Sequence, residues 1–372
     1  MSVNAMIVSA GEALDVLRAG WEAQRAGHML ASYMMHGRPG VGKTQVVEQL
    51  AGEIGARLFD LRLTTIEPQD LRGLPYYDHE TQKTKWYRPE DLPDDVDHPS
   101  ILFLDELTAA SPMLQPTVYG LLQERRVGRH RLPGNVFIVA AGNTVEDGAI
   151  AYQMNTALSD RLIHLHVQAA AADWLDNYAV PRGLHPTVVA FIKTRPDLLD
   201  TTERTVAEGQ LIATTPRSWE RVSQILTAVP DRRMRNVLVA GTVGEAVAAE
   251  FAMIADDISA TVQVQDMLEA DRKERIRLYP ASMHGLNALI YGLIGILESR
   301  NVNGVIDIMA DIRQLSRLRE EEDFKRMPLG ELTTYGFEGL IRKGLDLGLG
   351  ERFLGHDAYR AYAAERKEAG LA

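Results

Sequence analysis

Apolar residues change their period along this chain. Residues 10–27 (AGEALDVLRAGWEAQRAG) place Leu14, Leu17 and Trp21 on one side at helical spacing, and Gly27 suits the end of a helix. Short continuous apolar runs then take over: ASYMMH (31–36), RLFDLRL (57–63), ILFL (101–104), NVFIVAAG (135–142) and LIHLHV (162–167). Runs of this kind predict strands, and ILFL has the character of a strand buried on both faces of a parallel sheet. Between them, QVVEQLAGEIGA (45–56) predicts a helix, as does MLQPTVYGLLQER (113–125), with Pro116 able to shift its start. Alternating strands and helices predict an α/β domain with a mainly parallel sheet. The stretch from Thr64 to about Ser100 is polar, carries prolines at 68, 75, 89, 93 and 99, and predicts irregular chain; RRVGRHRLPGN (125–135) predicts a turn or hairpin.

Beyond about residue 170 the strand runs stop. Helical patterns follow in DWLDNYAV, PTVVAFIKT and RSWERVSQILTAV, and in a long series from about Ala240 onward. Residues 286–312 predict two packed helices, and the tail DAYRAYAAERKEAG predicts a polar helix or a frayed end. The change near 170 marks a first domain boundary and a fainter one falls near 245, dividing the chain into 1–170, 171–245 and 246–372.

Composition narrows the chemistry. The 372 residues are 45% hydrophobic and 24% charged, ordinary for a globular chain. With no cysteine, disulfides, thiolate metal sites and cysteine nucleophiles are excluded, and a cytoplasmic location is expected. No run of about 18 uncharged apolar residues occurs, so no membrane insertion is expected. The start lacks the basic and apolar regions of a secretory signal. A net charge of −11 weighs against passive nucleic-acid binding.

Residues 37–44, GRPGVGKT, satisfy G-x-x-x-x-G-K-[ST] between a predicted strand and a predicted helix. Gly37, Gly40 and Gly42 let backbone N–H groups approach phosphate oxygens, and the helix turns its positive end toward them. Lys43 reaches the β- and γ-phosphates, and the Thr44 hydroxyl ligates Mg²⁺. ILFLDE then sets Asp105 and Glu106 at the C-terminal end of a buried strand, where ligands of open α/β sheets bind. Asp105 can hold Mg²⁺, and Glu106 can polarise water for in-line attack on the γ-phosphate. The pair also reads as an ordinary solvated strand end. Asn143 ends the next strand, where an amide can orient that water or merely close a turn.

GRPGVGKT, ILFLDE, AAGN, LSDRL and TPRSWERV follow the order of an AAA+ ATPase. The chain resembles a MoxR-type member of the helix-2-insert branch, especially in DLRLTTIEPQDLRGLPYY (60–77) and TTPRSWERVSQIL, over roughly residues 8–250. The resemblance implies a P-loop NTPase αβα sandwich of five strands, a C-terminal all-helical lid and a helical extension. It places the helix-2 insert at about 64–99 and a nucleotide site on Gly37, Pro39, Gly40, Val41, Gly42, Lys43, Thr44 and Gln45. It implies a hexameric ring that hydrolyses Mg²⁺-ATP and remodels a protein partner, with a von Willebrand factor A domain protein as one candidate. Arg161 matches the arginine finger, acting on a neighbour's nucleotide, and Arg217 matches the sensor on the lid. An ordinary salt bridge is the competing reading for both, and Asp160 adjoins Arg161. A nucleic-acid-directed motor and an ATP-switched scaffold with little hydrolysis remain alternatives.

Other side chains are weaker candidates. Arg125, Arg126, Arg129, His130 and Arg131 form a basic cluster that either faces a ring pore and grips an acidic or nucleic-acid substrate or pairs with acids of a neighbouring subunit. Trp86 and Tyr87 are packing or partner contacts, and Trp219 reads as core. His164 and His166 alternate along a strand and do not suggest a zinc site.

Overall fold

The computed structural model describes residues 3–143, 156–261, 264–319 and 321–368. The chain divides into two compact units, residues 1–170 with 200–217, and residues 171–199 with 218–372.

The first unit is built on strands β1 (Ile7–Val8), β2 (Ser32–His36), β3 (Arg57–Arg62), β6 (Ser100–Asp105), β9 (Val136–Gly142) and β10 (Leu162–Val167). They form one sheet in the order β1-β10-β2-β9-β6-β3, every pair parallel. The apolar runs of β2, β6 and β9 are central strands because both faces are covered, while β3 lies at the edge of the sheet. Alternate residues Tyr33, Met35, Ile101, Phe103, Phe137 and Val139 belong to one core layer, with Leu17 of α1 (Ala10–Arg25) and Val47 and Leu50 of α2 (Lys43–Ile54). Their neighbours Met34, Leu102, Leu104, Ile138 and Ala140 belong to the opposite layer, with Leu114, Val118 and Leu121. Each large apolar side chain so buried contributes roughly 1.5–3 kcal/mol. At the start of α1, Ser9 and Glu12 cap one another reciprocally, at 3.1 and 2.7 Å.

Three details depart from expectation. The sheet has a sixth strand, the two-residue edge β1, where the family likeness implies five. The polar stretch 64–99 is more regular than its prolines suggest. It contains helix α3 (Pro68–Arg72), with proline where a helix needs no N–H, and the antiparallel hairpin β4 (Pro75–Asp78) and β5 (Lys83–Trp86). The helix expected over 113–125 is broken into α4 (Gln115–Tyr119) and a π-helical turn over Gly120–Glu124. Arg125 ends that turn in the left-handed region, and the chain enters the small hairpin β7 (Arg126–Val127) and β8 (His130–Arg131).

The second unit is helical throughout its described residues. Trp219 is fully buried against Phe191 and Phe251 and donates its indole N–H to the Leu198 carbonyl at 2.8 Å. The two helices expected over 286–312 span Met283–Ile296 and Val302–Leu318. They do not pack mainly on each other: Met283–Ile296 lies chiefly against the helix Pro186–Thr194, and Val302–Leu318 against the helix Leu329–Asp346. Gly336 of that helix lies where a Cβ would stand 2.3 Å from Met309 and 3.0 Å from Ile290, so both neighbours close on one small residue. The tail forms the helix Asp357–Glu368, anchored by Tyr362 stacked on Phe337 with ring centres 4.3 Å apart. No helix among the described residues is long and apolar enough to cross a membrane.

Candidate functional site

Strand order assembles the site. β9 lies between β2 and β6, so the phosphate loop, Asn143 and the Asp105–Glu106 pair leave three adjacent parallel strands at the same edge. Gly37 turns off β2 against the neighbouring strand, where a Cβ would stand 2.4 Å from the Val167 carbonyl oxygen. Gly40 has φ +83°, and a Cβ there would meet Thr215 Oγ1 at 2.9 Å. Pro39 is exposed, Val41 is buried in the sheet core, and Thr44 and Gln45 are half-buried on the first turn of α2. Gly42 supplies that helix's N-cap and offers no side chain to cover its amides, leaving a positive end suited to phosphate.

Lys43 is 8% exposed, and its ammonium reaches the Gly37 carbonyl at 2.5 Å, the Arg38 carbonyl at 2.9 Å and Asn143 Oδ1 at 3.1 Å. The loop lysine and the tip of β9 are thus in direct contact. Asn143 is tied down in turn, its carbonyl accepting from Thr108 Oγ1 at 2.9 Å. A Cβ on Gly142 would collide with that hydroxyl at 2.5 Å, so glycine allows the approach.

Asp105 is largely covered and Glu106 is more open, with side chains 14% and 39% exposed. The Glu106 N–H donates to Asp105 Oδ1 at 2.9 Å. Glu106 sits at φ 58° and ψ 33°, the left-handed region, which for a residue with a side chain costs about 1–3 kcal/mol and is typical of functional turns. Its carboxylate accepts from the Thr64 hydroxyl. The Arg62 guanidinium lies 4.0 Å from each of Asp105 and Glu106, balancing part of their charge. Burial, and then the nearby Asp105, raise the Asp60 carboxyl above its ordinary pKa.

Residues 200–217 complete this unit. Arg38 pairs with Glu203 at 2.9 Å, and the Arg217 Cβ lies 3.5 Å from where a Gly40 Cβ would be. Arg217 is exposed and stands beside the phosphate loop. Arg161 does not join this group. It precedes β10, whose first residue Leu162 pairs with Ser32 at the start of β2, whereas the phosphate loop follows His36 at its end. Four steps of about 3.3 Å separate those ends by roughly 13 Å.

The groups present fit a magnesium nucleotide: a glycine turn that a Cβ would fill, an uncapped helix start, a lysine, and hydroxyl and carboxylate oxygens from Thr44 and Asp105. Thr64, Thr108 and Arg62 escaped sequence reasoning. Isolated polar residues at strand ends carry no spacing signal. The basic cluster needs one correction, because Arg125 is not part of a free surface. Its guanidinium donates to the Val136 carbonyl, and burial lowers its pKa. Among its fellows, Arg126 pairs with Glu124 at 2.5 Å, and His130 bonds the Arg72 carbonyl at 3.2 Å.

No curated protein matches the chain in sequence. Among solved structures, the RuvB Holliday junction branch migration motor of Thermotoga maritima is 12% identical, covering 86% of this chain and 89% of its own, with a TM-score of 0.31. NtrX of Brucella abortus in complex with ADP is 16% identical, covering 86% and 69%, with a TM-score of 0.34. The family model of the AAA domain, dynein-related subfamily, matches residues 32–162, the stretch from β2 to the start of β10. Its limits enclose the phosphate loop, the acidic pair and Asn143. Over residues 32–162 the chain is therefore similar to the AAA domain of the dynein-related subfamily.

Proposed function

We propose that this chain is a MoxR-type ATPase that hydrolyses Mg²⁺-ATP within a ring oligomer, in the manner of a hexamer, to remodel or activate a partner protein. The observation that carries the reading is the junction of three strand tips, in which Lys43 touches Asn143 beside the Asp105–Glu106 pair. Lys43 and the open amides of α2 hold the phosphates, and Thr44 and Asp105 hold the metal. Bound Mg²⁺ neutralises charge on the phosphate oxygens. Glu106 takes a proton from the attacking water, and Asn143 orients that water.

The two arginines divide by position. Arg217, beside Gly40, stabilises charge on the nucleotide of its own chain and opens a helix, Pro216–Ala228, whose body belongs to the second unit. Arg161, at the far end of β2, is too distant to serve its own loop and serves a neighbour's. Mechanical output to the partner is therefore tied to assembly. The domain reading that accompanies this function is a nucleotide-binding unit over 1–170, a lid over 171–245 and an extension over 246–372.

The test is phosphate release against protein concentration. Wild-type activity should rise more than linearly, as a trans arginine requires. Glu106→Gln should retain ATP binding and lose turnover. Turnover at the wild-type rate in that variant would overturn the reading. A scaffold that binds ATP and scarcely hydrolyses it gains one observation, the hydroxyl of Thr64 held against Glu106. A linear, barely detectable rate at every concentration would favour it.

A further inference from the structure

His36 is the last residue of β2, directly before the phosphate loop, and is 7% exposed. Its Nε2 lies 2.8 Å from His164 Nδ1 on β10. The ring centres are 5.0 Å apart and the planes 18° apart. A 2.8 Å contact allows that separation only if both nitrogens lie near the line joining the centres. The rings therefore meet edge to edge in nearly one plane, as an N–H···N hydrogen bond requires. The other nitrogen, His164 Nε2, lies 2.9 Å from the Ser159 carbonyl oxygen and 3.0 Å from Ser159 Oγ.

This arrangement fixes the tautomers. A carbonyl oxygen only accepts, so His164 Nε2 carries a proton and donates it to Ser159. In its neutral form His164 Nδ1 is then a lone pair, and His36 Nε2–H donates to it. The bonds run in one direction, from the strand end at the phosphate loop, through two imidazoles, to the backbone of Ser159. Ser159 closes the short helix α5 (Thr156–Ser159), two residues before Arg161, whose own N–H bonds back to the Leu158 carbonyl at 3.2 Å. In the sheet register His164 lies opposite Met34, so the relay runs diagonally back from the end of β2 toward its beginning.

We propose that His36, His164 and Ser159 form a positioning relay that ties the Arg161 turn to the phosphate loop of the same chain. This rests on the reading that the loop binds nucleotide and that Arg161 serves a neighbouring site. A displacement of His36 when the loop closes on phosphate is passed through two rigid rings to the turn that carries the arginine. Occupancy of one site thereby sets the aim of the arginine offered to the next. None of the three residues touches the reacting atoms. A misplacement on the order of 1 Å in such a group lowers turnover by about 10²-fold.

Two variants each cut half of the relay. In His164→Asn the side-chain oxygen can replace Nδ1 and accept from His36, but the reach to Ser159 is lost. In His164→Gln the amide nitrogen can replace Nε2 and donate to Ser159, but the acceptor for His36 is lost. Both are compared with wild type for kcat, KM and the affinity for a fluorescent ADP. A second readout needs no hydrolysis. The chain has no cysteine, so the thiol introduced by Asp160→Cys, at an exposed position beside the turn, takes a fluorophore uniquely.

With the relay intact, nucleotide should shift the label's emission. In both half-relay variants the shift should vanish, and kcat should fall by about 10- to 100-fold with nucleotide affinity and KM unchanged. A shift that persists in either variant overturns the proposal. So does its absence with His164 in place, or a matching loss of nucleotide affinity, which would place the defect in the loop itself. If wild type binds nucleotide without hydrolysing it, the hydrolysis reading fails and the label still decides the relay.

Discussion

Thr64 lies two residues beyond β3, and its hydroxyl donates to the Glu106 carboxylate. Thr64→Val keeps the branched shape and deletes the donor. A hydrogen bond to a charged group is worth about 1.5–3 kcal/mol where solvent is excluded. The Glu106 side chain is 39% exposed, so water competes for it and roughly 1–1.4 kcal/mol is the expected value. The bond from Thr64 stabilises the ionised carboxylate and weakens as the group takes a proton from water. The energy of the bond is then part of the barrier, and removing it should raise kcat by about 5- to 10-fold, since 1.36 kcal/mol is tenfold in rate. KM should not change, because the Lys43 cradle is untouched. The assay is steady-state phosphate release at saturating ATP for wild type, Thr64→Val and Thr64→Ser, the last retaining the donor and the wild-type rate. A fall in kcat for Thr64→Val would refute the reasoning, since it would mean that the hydroxyl aims Glu106 at its task.

Two further outcomes are expected. Arg161→Ala should lower turnover by about 10³-fold or more, and mixing it with Glu106→Gln should restore activity to about a quarter of wild type, the share of subunit interfaces that randomly pair an intact arginine with an intact glutamate; no recovery on mixing would exclude action in trans. In the second unit Asp311, with its side chain 4% exposed, accepts from Arg275 at 2.7 Å and Arg272 at 2.9 Å. Asp311→Ala should destabilise this unit by about 3–5 kcal/mol in urea melts and leave nucleotide affinity unchanged; a loss under about 1 kcal/mol would show that Arg275 finds another partner.

What could be read from the sequence, and what could not, follows from how far each signal extends along the chain. The runs that became β2, β6, β9 and β10 are local, since a strand covered on both faces must be apolar at successive positions, and Asp105, Glu106 and Asn143 are conspicuous where such runs stop. The glycine turn before Lys43 is local for the same reason. The insert misleads because prolines at 68 and 75 begin a helix and a strand rather than interrupting them. The broken helix after Pro116 ends in a π turn at a close approach, Gly120 packed where a Cβ would stand 2.8 Å from the Arg126 carbonyl, and no periodicity encodes that.

The contacts that give the site its character join residues far apart in sequence. Lys43 and Asn143 are 100 positions apart, Thr64 and Glu106 are 42, and His36 and His164 are 128. Their partnership depends on strand order, on β9 lying between β2 and β6 and β10 lying on the other side of β2. With that order in hand, parity brings His36, His164 and His166 to one face, but it does not choose His164 over His166, which stands opposite His36 in the register. Met34 and Leu162 share one core layer, so His36 and His164, two positions beyond them, face the same side of adjacent strands. The alternation of His164 and His166, which spoke only against a zinc site, thus also marks the face on which one imidazole meets another beneath the phosphate loop.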